Sequence, residues 1–564
     1  MDSWPRHPRS SSVGVAHASE ALLCLGQILF LAVTRLTQTR AIIDDAHIHF
    51  RIAENFASGH GLLYNVGERA LATTSPVYAA LLGALGFLTP FAMPTLAIAV
   101  NFAFDVGSAL LALLLLARVG VPLLFRHAVV LVISSEPTTM LHSAAGMEMS
   151  LFVFASLLTL ELLHRNRWLA GGLLLGTLGW IRPEAAVFAV GVVAGLWFTG
   201  RRVLLARAVG VACASALMLS LVLWLQCGDV IPLSIRIKFA APWFTEHNGS
   251  CATLFARTLG ELTPIYPFAS RYRVWNPGAD WIHMGFLCAL QIGLMLLGAR
   301  HLWREGMGLQ AIALPLWALG QWAFYAVTNP FLFGWYLVPF LWVSLLLSGV
   351  GLWEAALLAK APRGMFAGTE RRLSAMSAAT LAVCCAGFGL VVSAHRSIET
   401  TSVARGSAFR GEGLVEALAF RFAPIGPGRP EPDYIAGANL LNQWIGNWTE
   451  MRVGLWEIGV FGSTFRGKVL DSCGLVSPEI LTYLQENQGT GAASRQNVPS
   501  PELFLALRPE LLALPPFYAT LLPDEFGETY RAVPAPDLNL LLFVREDVRG
   551  IGVTSTSSES LTGG

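Results

Sequence analysis

Apolar residues recur along the first 394 positions in runs long enough to cross a membrane. A helix needs roughly 17–25 residues to cross about 30 Å of hydrocarbon, and on this criterion the pattern predicts about eleven membrane-spanning helices. The runs lie near 20–37, 95–117, 124–141, 148–163, 168–181, 185–200, 205–226, 282–299, 309–328, 334–352 and 374–394. The pattern therefore predicts an α-helical polytopic membrane protein.

Basic residues occupy every second loop between these runs, and they set the expected orientation. Arg6 and Arg9 precede the first run, and the alternate loops contain Arg118 and Arg126, Arg165 and Arg167, Arg201, Arg202 and Arg207, Arg300 and Arg304, and Lys360, Arg363, Arg371 and Arg372. Cytoplasmic loops of membrane proteins carry such an excess of arginine and lysine. We therefore expect a multi-pass protein of the cytoplasmic (inner) membrane, with the loops 38–94 and 227–281 on the outer face.

The apolar segment 76–93 interrupts this alternation. It is short, Pro90 and Pro94 close it, and a full span here would place Arg118 on the outer face. We interpret it as an interfacial or re-entrant helix on the outer side. The first external loop is accordingly predicted to run from 38 to 94, within a transmembrane domain of residues 1–394.

Residues 395–564 show a different pattern, in which polar and apolar residues interleave after a Pro/Gly cluster at 423–432. This pattern predicts a small extracytoplasmic α/β domain with a Ser/Thr/Gly-rich, disordered tail at 554–564. The predicted strands are Val453–Val460, Lys468–Asp471 and Leu538–Val544, and the predicted helices are Ala438–Ile445 and Pro478–Glu486.

Composition agrees with a membrane protein. The chain is 54% hydrophobic and 13% charged, whereas soluble domains carry about 25% charged residues. The net charge of +1 gives no reason to expect a nucleic-acid partner. The eight cysteines show no metal-ligand spacing, and a disulfide between Cys227 and Cys251 is left open because spacing alone does not fix proximity.

Two adjacent carboxylates, Asp44 and Asp45, directly follow the first apolar run. Apolar residues at helical spacing come next, so an amphipathic helix is expected that ends at Gly59-His60-Gly61. One aspartate is enough to cap this helix. The second adds like-charge repulsion, which raises one pKa or recruits a cation. Capping and catalysis both remain open at this point.

This stretch resembles the first external loop of GT-C glycosyltransferases, which use polyprenyl-phosphate sugars, and in particular the actinobacterial cell-wall arabinofuranosyltransferases. The matching motifs are Asp44-Asp45, Phe50-Arg51, Gly59-His60-Gly61 and Thr74-Ser75-Pro76. Weaker matches follow in order at Gly146-Met147-Glu148, Arg182-Pro183-Glu184, Ile231-Pro232 with Lys238, Trp335-Tyr336, Glu457-Ile458-Gly459 and Asp471-Ser472-Cys473-Gly474-Leu475. His47 and His49 depart from the family pattern.

The resemblance implies that an acceptor hydroxyl attacks the anomeric carbon of a lipid-phosphate sugar with inversion. Asp44 or Asp45 would be the general base, and the other would orient the acceptor or hold a divalent cation such as Mg²⁺ or Mn²⁺, together with Glu148. The donor is a polyprenyl-phosphate sugar, with arabinofuranose the first choice, and the acceptor is an envelope glycan or lipid-linked saccharide. Glu148 alternatively stabilises a helix N-terminus.

Two cations, Arg182 and Lys238, are expected to bind the donor phosphate, with interfacial snorkelling and solubility as their alternatives. Arg51, His60, Glu148, Trp335 and Tyr336 are expected to contact substrate, although His60 also fits a simple turn and the aromatic pair fits an interfacial belt. We expect Asp44, Asp45, Glu148 and Arg182 to face one outward cavity of about 10–15 Å.

Three further acids are notable. Asp105 lies within a predicted span, where carboxylates are functional candidates. Glu457 and Asp471 are expected to organise the loops of the C-terminal domain.

Two other functions compete with the transferase. A lipid-linked glycan flippase or transporter would need charged residues through the bundle core, whereas the ionisable groups here crowd the outer loops. A non-catalytic envelope protein would use the first loop only to dock the C-terminal domain, and would tolerate loss of Asp44 and Asp45.

Overall fold

The computed structural model describes residues 10–36, 42–240, 280–328, 334–360, 430–444, 451–487, 494–495 and 498–548. The chain forms two compact units. The first comprises 1–41, 97–217 and 248–424, and the second comprises 42–96, 218–247 and 425–564.

Helices dominate the described ranges before residue 361. They are α1 (Ser10–Leu36), α2 (Asp44–Ala57), α3 (Pro76–Leu88), α4 (Met93–Arg118), α5 (Leu123–Ser135), α6 (Pro137–Ser143), α7 (Met149–His164), α8 (Trp168–Leu178), α9 (Ala185–Phe198), α10 (Arg202–Cys227), α11 (Leu233–Ala240), α12 (Asp280–Arg304), α13 (Gly308–Thr328) and α14 (Val338–Lys360). Every predicted apolar run up to residue 352 overlaps a helix. The predicted run 374–394 lies beyond the described ranges.

Four of the described helices are long and apolar enough to cross a membrane, by length and composition. They are Ala18–Leu36, Met93–Arg118, Arg202–Cys227 and the segment Trp335–Leu358. Shorter apolar helices lie between them, including the predicted interfacial segment, which forms α3.

The predicted span 124–141 is wrong as a single helix, because it breaks at Glu136 between α5 and α6. Pro137 starts the second helix, and a proline lacks the N–H that a continuing helix needs. The Glu136 carboxylate accepts a 2.6 Å hydrogen bond from the Thr139 amide and so caps the new helix.

Glycines allow the helices of the first unit to pack closely. A Cβ at Gly191 would lie 2.9 Å from the Ala313 carbonyl oxygen, and one at Gly195 would lie 2.9 Å from that of Leu309. These glycines are one helical turn apart on α9, so they bring its backbone against α13. Small residues at this spacing are typical of helix packing in membranes, where van der Waals contact drives association.

The C-terminal part of the second unit is built around a five-stranded sheet. Its strands are β1 (Arg452–Leu455), β2 (Lys468–Asp471), β5 (Leu511–Leu514), β6 (Tyr530–Val533) and β7 (Leu541–Arg545), in the order β2-β1-β5-β7-β6. β1 is parallel to β2 and β5, whereas β7 is antiparallel to β5 and β6. A short antiparallel pair, β3 (Ser494–Arg495) and β4 (Val498–Pro499), is separate.

Helices complete this α/β fold: α15 (Pro430–Trp444), α16 (Gly459–Thr464), α17 (Pro478–Glu486), α18 (Glu502–Leu507) and α19 (Phe526–Thr529). The predicted strand Val453–Val460 is too long, because β1 ends at Leu455 and α16 starts at Gly459. β5 and β6 were not predicted. The predicted disordered tail lies outside the described part of the chain.

Residues of both long loops belong to the core of this second unit. Leu233 and Ile237 of α11 are buried with Leu470, Ile480 and Phe504 of the C-terminal segment. The amide of Leu233 also donates to the Leu71 carbonyl at 2.9 Å. The loop segments 42–96 and 218–247 therefore fold together with the sheet.

Candidate active site

Asp44 links the start of α2 to the C-terminal segment. Its two carboxylate oxygens accept backbone hydrogen bonds from Gly459 at 2.9 Å and Val460 at 2.7 Å. A Cβ at Gly459 would collide with the Asp44 carbonyl oxygen, so only glycine allows this approach. The capping that the sequence left open is thus present, but the capped helix is α16 rather than α2.

Arg51 strengthens the same link from the second turn of α2. Its guanidinium is buried and donates to the backbone carbonyls of Tyr64, Gly462, Phe465 and Gly467. It also reaches the Asn65 side-chain oxygen at 3.4 Å and lies over the Tyr64 ring. Arginine has five N–H donors, and these contacts engage all of them. A structural role therefore accounts for Arg51, and its predicted contact with substrate stays a prediction.

Tyr64 and Asn65 extend the link to the sheet. The Tyr64 hydroxyl donates to the Ile458 carbonyl at 2.7 Å. The Asn65 side chain accepts from the Val469 amide at 3.0 Å and donates to its carbonyl at 2.8 Å. Asn65 thus satisfies the edge of β2 as a neighbouring strand would.

The electrostatics of this region centre on Asp44. Burial raises the pKa of Asp44 from 3.8 to about 7, against the lowering effect of the Val460 amide. The negative charges of Glu457 and Asp45 raise it further, and the Gly459 amide lowers it. Burial thus raises the pKa of Asp44 towards the neutral range that acid–base catalysis needs.

Asp45, His60 and Lys238 also belong to the second unit. Asp45 is partly exposed beside Asp44. His60 is exposed between Gly59 and Gly61, whose φ angles of 83° and 84° form the predicted turn.

Lys238 is partly exposed on α11, one residue after the buried Ile237. A Cβ at Gly474, which has a φ of 81°, would lie 2.7 Å from Ile237. The position of Lys238 in the unit is therefore fixed by a close contact between α11 and the loop that follows β2.

A second cluster surrounds Arg182 in the first unit. Its guanidinium donates to Glu148 at 2.7 Å and to both oxygens of Glu184, at 3.0 and 2.5 Å. All three side chains are buried. The expected meeting of Glu148 with Arg182 is therefore present. Two carboxylates more than offset the charge of one guanidinium, however, so binding of the donor phosphate by Arg182 stays a prediction.

Aromatic residues close this second cluster. Arg182 lies 5.0 Å from the Tyr336 ring centre, and the Tyr325 hydroxyl donates to Glu184 at 2.8 Å. The ring of Trp335 contacts the edge of His142 at 5.8 Å. Tyr336 therefore takes part in a buried cluster rather than in an exposed interfacial belt. Tyr325 was missed because an isolated tyrosine in an apolar helix carries no sequence signal.

Asp105 and Asp471 have structural partners. Asp105 forms a buried 3.0 Å ion pair with Arg35. The Asp471 carboxylate accepts from the amides of Cys473, Leu475 and Val476. It organises the loop after β2, as the sequence predicted.

A metal ion does not fit Asp44 well. Both of its oxygens face amide hydrogens, whose positive ends repel a cation. In the ranges that the structure describes, no three His, Cys, Asp or Glu side chains are grouped as metal ligands are. Metal dependence, and the convergence of Asp44 and Asp45 with Glu148 and Arg182, stay predictions.

No family model and no curated protein matches the chain, but several solved structures do. One is ArnT from Cupriavidus metallidurans bound to undecaprenyl phosphate, with 14% identity, a TM-score of 0.53, and coverage of 93% of this chain and 97% of ArnT. Another is the same protein in the apo state, with 14% identity, a TM-score of 0.53, and coverage of 94% and 98%.

At this identity the likeness concerns the fold, and it extends over nearly the whole of both chains. The arabinofuranosyltransferase subfamily stays a prediction. The chain has the polytopic GT-C-like membrane fold that the sequence predicted, ending in a domain that contains a small sheet.

Proposed function

We propose that this protein is a membrane glycosyltransferase that transfers a sugar from a polyprenyl-phosphate donor to a saccharide acceptor. The observation that carries the proposal is the fold match, over 93% of the chain, to ArnT, whose structure contains undecaprenyl phosphate. The tandem carboxylates at the start of α2 add the chemistry that such a transfer needs.

In this reaction the acceptor oxygen forms a bond to the anomeric carbon as the bond from that carbon to the phosphate oxygen breaks. The acceptor proton passes to a carboxylate, and polyprenyl phosphate leaves with the bonding electrons. Attack from the face opposite the phosphate inverts the anomeric configuration. A general base therefore has to lie beside the acceptor hydroxyl, and a cation beside the phosphate.

We assign the base to Asp45 and a positioning role to Asp44. A general base must first reach the proton that it removes, and only then does its pKa matter. Both Asp44 oxygens already accept amide hydrogens from Gly459 and Val460. Asp44 then fixes the position of Asp45, and its charge favours proton uptake by its neighbour.

We assign the donor phosphate to Lys238 before Arg182. The charge of Arg182 is more than offset by Glu148 and Glu184, and an added phosphate would meet their negative charge. Lys238 is partly exposed on a helix that is anchored by Ile237. Removal of the lysine charge should therefore weaken donor binding.

The orientation follows from the positive-inside rule. With the arginine-rich loops in the cytoplasm, the acidic pair and the C-terminal domain lie outside the cytoplasmic membrane. The acceptor is then an envelope glycan or a lipid-linked saccharide, and the sugar is arabinofuranose in the first instance.

The test is transfer by purified protein in liposomes that contain radiolabelled polyprenyl-phosphate arabinose, mannose, glucose or aminoarabinose. Wild type should release polyprenyl phosphate and form a glycoside with one of these donors. Asp45→Asn should lower kcat by about 10²–10⁴-fold, the range expected for loss of a general base. Glu54→Gln is the matched control, since Glu54 is an exposed acid on the same helix, and it should act like wild type.

The outcomes separate the competing functions. Equal transfer by wild type and Asp45→Asn would reject the assigned base. Movement of an intact lipid-linked sugar across the bilayer, with no new glycosidic bond, would indicate a flippase. Absence of both activities with every donor would reject the proposal.

A further inference from the structure

The parallel strands of the second unit end together at one edge of the sheet. Leu455, the last residue of β1, lies opposite Asp471 of β2 on one side and Ala513 of β5 on the other. In open α/β sheets, ligands bind outside the carboxyl ends of the parallel strands. The residues that directly follow these three strands therefore lie where ligands of such sheets bind.

These residues form an aromatic surface with a carboxylate next to it. Trp456 follows β1, and its ring meets the edge of Phe517, which follows β5, at 5.2 Å between ring centres. Phe517 is 42% exposed, and Trp456 is half-buried. Glu457 lies beside Trp456 and accepts a hydrogen bond from the Tyr434 hydroxyl.

The acidic pair reaches the same edge. The Asp44 carboxylate is bonded to the amides of Gly459 and Val460, which follow Glu457 within three residues. The Cys473 thiol, which follows β2, donates to the Trp456 carbonyl at 3.8 Å. Burial raises the pKa of this thiol, and the charges of Asp471, Glu457 and Asp45 raise it further. Because the Asp44 carboxylate is bonded to Gly459 and Val460, its neighbour Asp45 and the nearby Glu457 both lie near the start of the aromatic surface.

We propose that Trp456, Phe517 and Glu457 bind the sugar rings of the acceptor saccharide beside Asp45. A sugar presents an apolar C–H face, which stacks on an aromatic ring, and hydroxyl donors, which bind carboxylates. Few polar groups around an aromatic surface are typical of small-ligand sites. That the bound saccharide is the acceptor rests on the proposed transferase. That the ligand is a saccharide rests on the residues of this edge alone.

The charge of the edge favours a saccharide over the other candidate, a lipid surface. Glu457, the neighbour of Trp456, and Asp45 place negative charge at this edge, and anionic lipid headgroups would be repelled. Neutral hydroxyl donors are attracted by the same carboxylates.

Binding is tested with the full chain in lipid nanodiscs by saturation-transfer NMR. The probes are methyl glycosides and disaccharides of arabinose, mannose and galactose. Wild type should bind one of them saturably, and Phe517→Leu and Trp456→Leu should weaken that binding about tenfold, the effect of losing a central aromatic contact. Phe543→Leu, in the buried part of the same sheet, is the matched control and should bind like wild type.

Three results overturn the proposal. In the first, no probe binds wild type; in the second, both edge variants bind as well as wild type. In the third, brominated lipid in the nanodisc quenches the fluorescence that Trp456→Leu removes, since Trp456 then faces the membrane. Transfer measured on the same variants separates the two proposals. Saccharide binding without transfer would retain this site and reject the transferase, whereas transfer with an unchanged acceptor KM would do the reverse.

Discussion

The side chain of Asp44 accepts a 2.7 Å hydrogen bond from the backbone amide of Val460, 416 residues later in the chain. One of the two tandem aspartates is thus a structural anchor of the second unit. Asp44 therefore has two roles, because the same carboxylate holds the C-terminal segment and sets the charge beside Asp45. Its protonation therefore affects both stability and chemistry.

The stability of the second unit should depend on pH through Asp44. Its pKa rises from 3.8 to about 7 on folding, so the folded state binds a proton more tightly than the unfolded state. That contribution is complete below pH 4 and is lost as the pH rises towards 7, which lowers the free energy of unfolding. Asp44→Asn lacks this loss, so its melting temperature relative to wild type should rise from pH 4 to pH 8.

The difference between the two proteins is the quantity to measure, by thermal unfolding in detergent at a series of pH values. Burial also raises the pKa of Asp471 to about 7 and lowers that of His47 to about 4. These two groups act in both proteins, in opposite directions, and cancel from the difference. Parallel pH profiles for wild type and Asp44→Asn would contradict the prediction.

Arg51 should be far more important for stability than Arg69, although both bind backbone carbonyls of the second unit. Arg51 is buried and donates to four carbonyls, whereas Arg69 is exposed and donates to those of Trp224 and Leu225. Arg51→Ala leaves several buried acceptors unsatisfied and should cost at least about 3 kcal/mol, while Arg69→Ala should cost about 1 kcal/mol or less.

Protease resistance of the detergent-purified protein measures this difference, with cleavage sites mapped by mass spectrometry. Arg51→Ala should expose the segment around α16, and Arg69→Ala should not. Equal resistance of the two variants would show that the link from α2 to α16 contributes little to stability.

The sequence was sufficient for the helices but not for this link. Apolar length and alternating arginine predicted the runs of the first unit, because membrane burial imposes a simple rule on composition. The break at Glu136 was missed because the apolar run continues through Pro137, where the second helix begins. Strand β5, Leu511–Leu514, was missed because a fully buried strand of four residues has no alternating pattern.

The residues of the candidate site were found more readily than their roles. Arg51 is named in a motif, yet its partners are backbone carbonyls of Gly462, Phe465 and Gly467, which no side-chain pattern records. Arg182 was expected to bind the donor phosphate, whereas its guanidinium bonds Glu184 of the same R-P-E motif. Long-range backbone contacts of this kind arise only when the fold closes.

Gly462 and Tyr64 should show strong coupling in a double-mutant cycle. A Cβ at Gly462 would collide with the Tyr64 hydroxyl, and that hydroxyl donates to Ile458 at 2.7 Å. Gly462→Ala should cost about 1–3 kcal/mol through overpacking, and Tyr64→Phe about 1 kcal/mol through the lost hydrogen bond.

The double variant should be more stable than the sum of these two costs predicts, because removal of the hydroxyl makes room for the added methyl group. Thermal unfolding of the four proteins in the same detergent gives the coupling energy. Additive losses would mean that the two groups do not meet. Gly527→Ala is the control for adding a methyl group, since a Cβ there meets no atom within 4 Å.

The ion pair of Arg35 and Asp105 should be costly to break but not to replace. Arg35 is 1% exposed, bonds Asp105 at 3.0 Å, and also donates to the Ser134 carbonyl at 2.8 Å. Asp105→Leu leaves a buried guanidinium without its counter-charge and should cost about 3–5 kcal/mol. Arg35→Met combined with Asp105→Leu removes both charges and should recover most of that loss, because burying an unpaired charge is worse than burying none.

Size-exclusion profiles after heating in detergent give the fraction of monodisperse protein for each variant. A double variant that is as unstable as Asp105→Leu alone would assign the loss to packing, and the charge pair would then be neutral for stability.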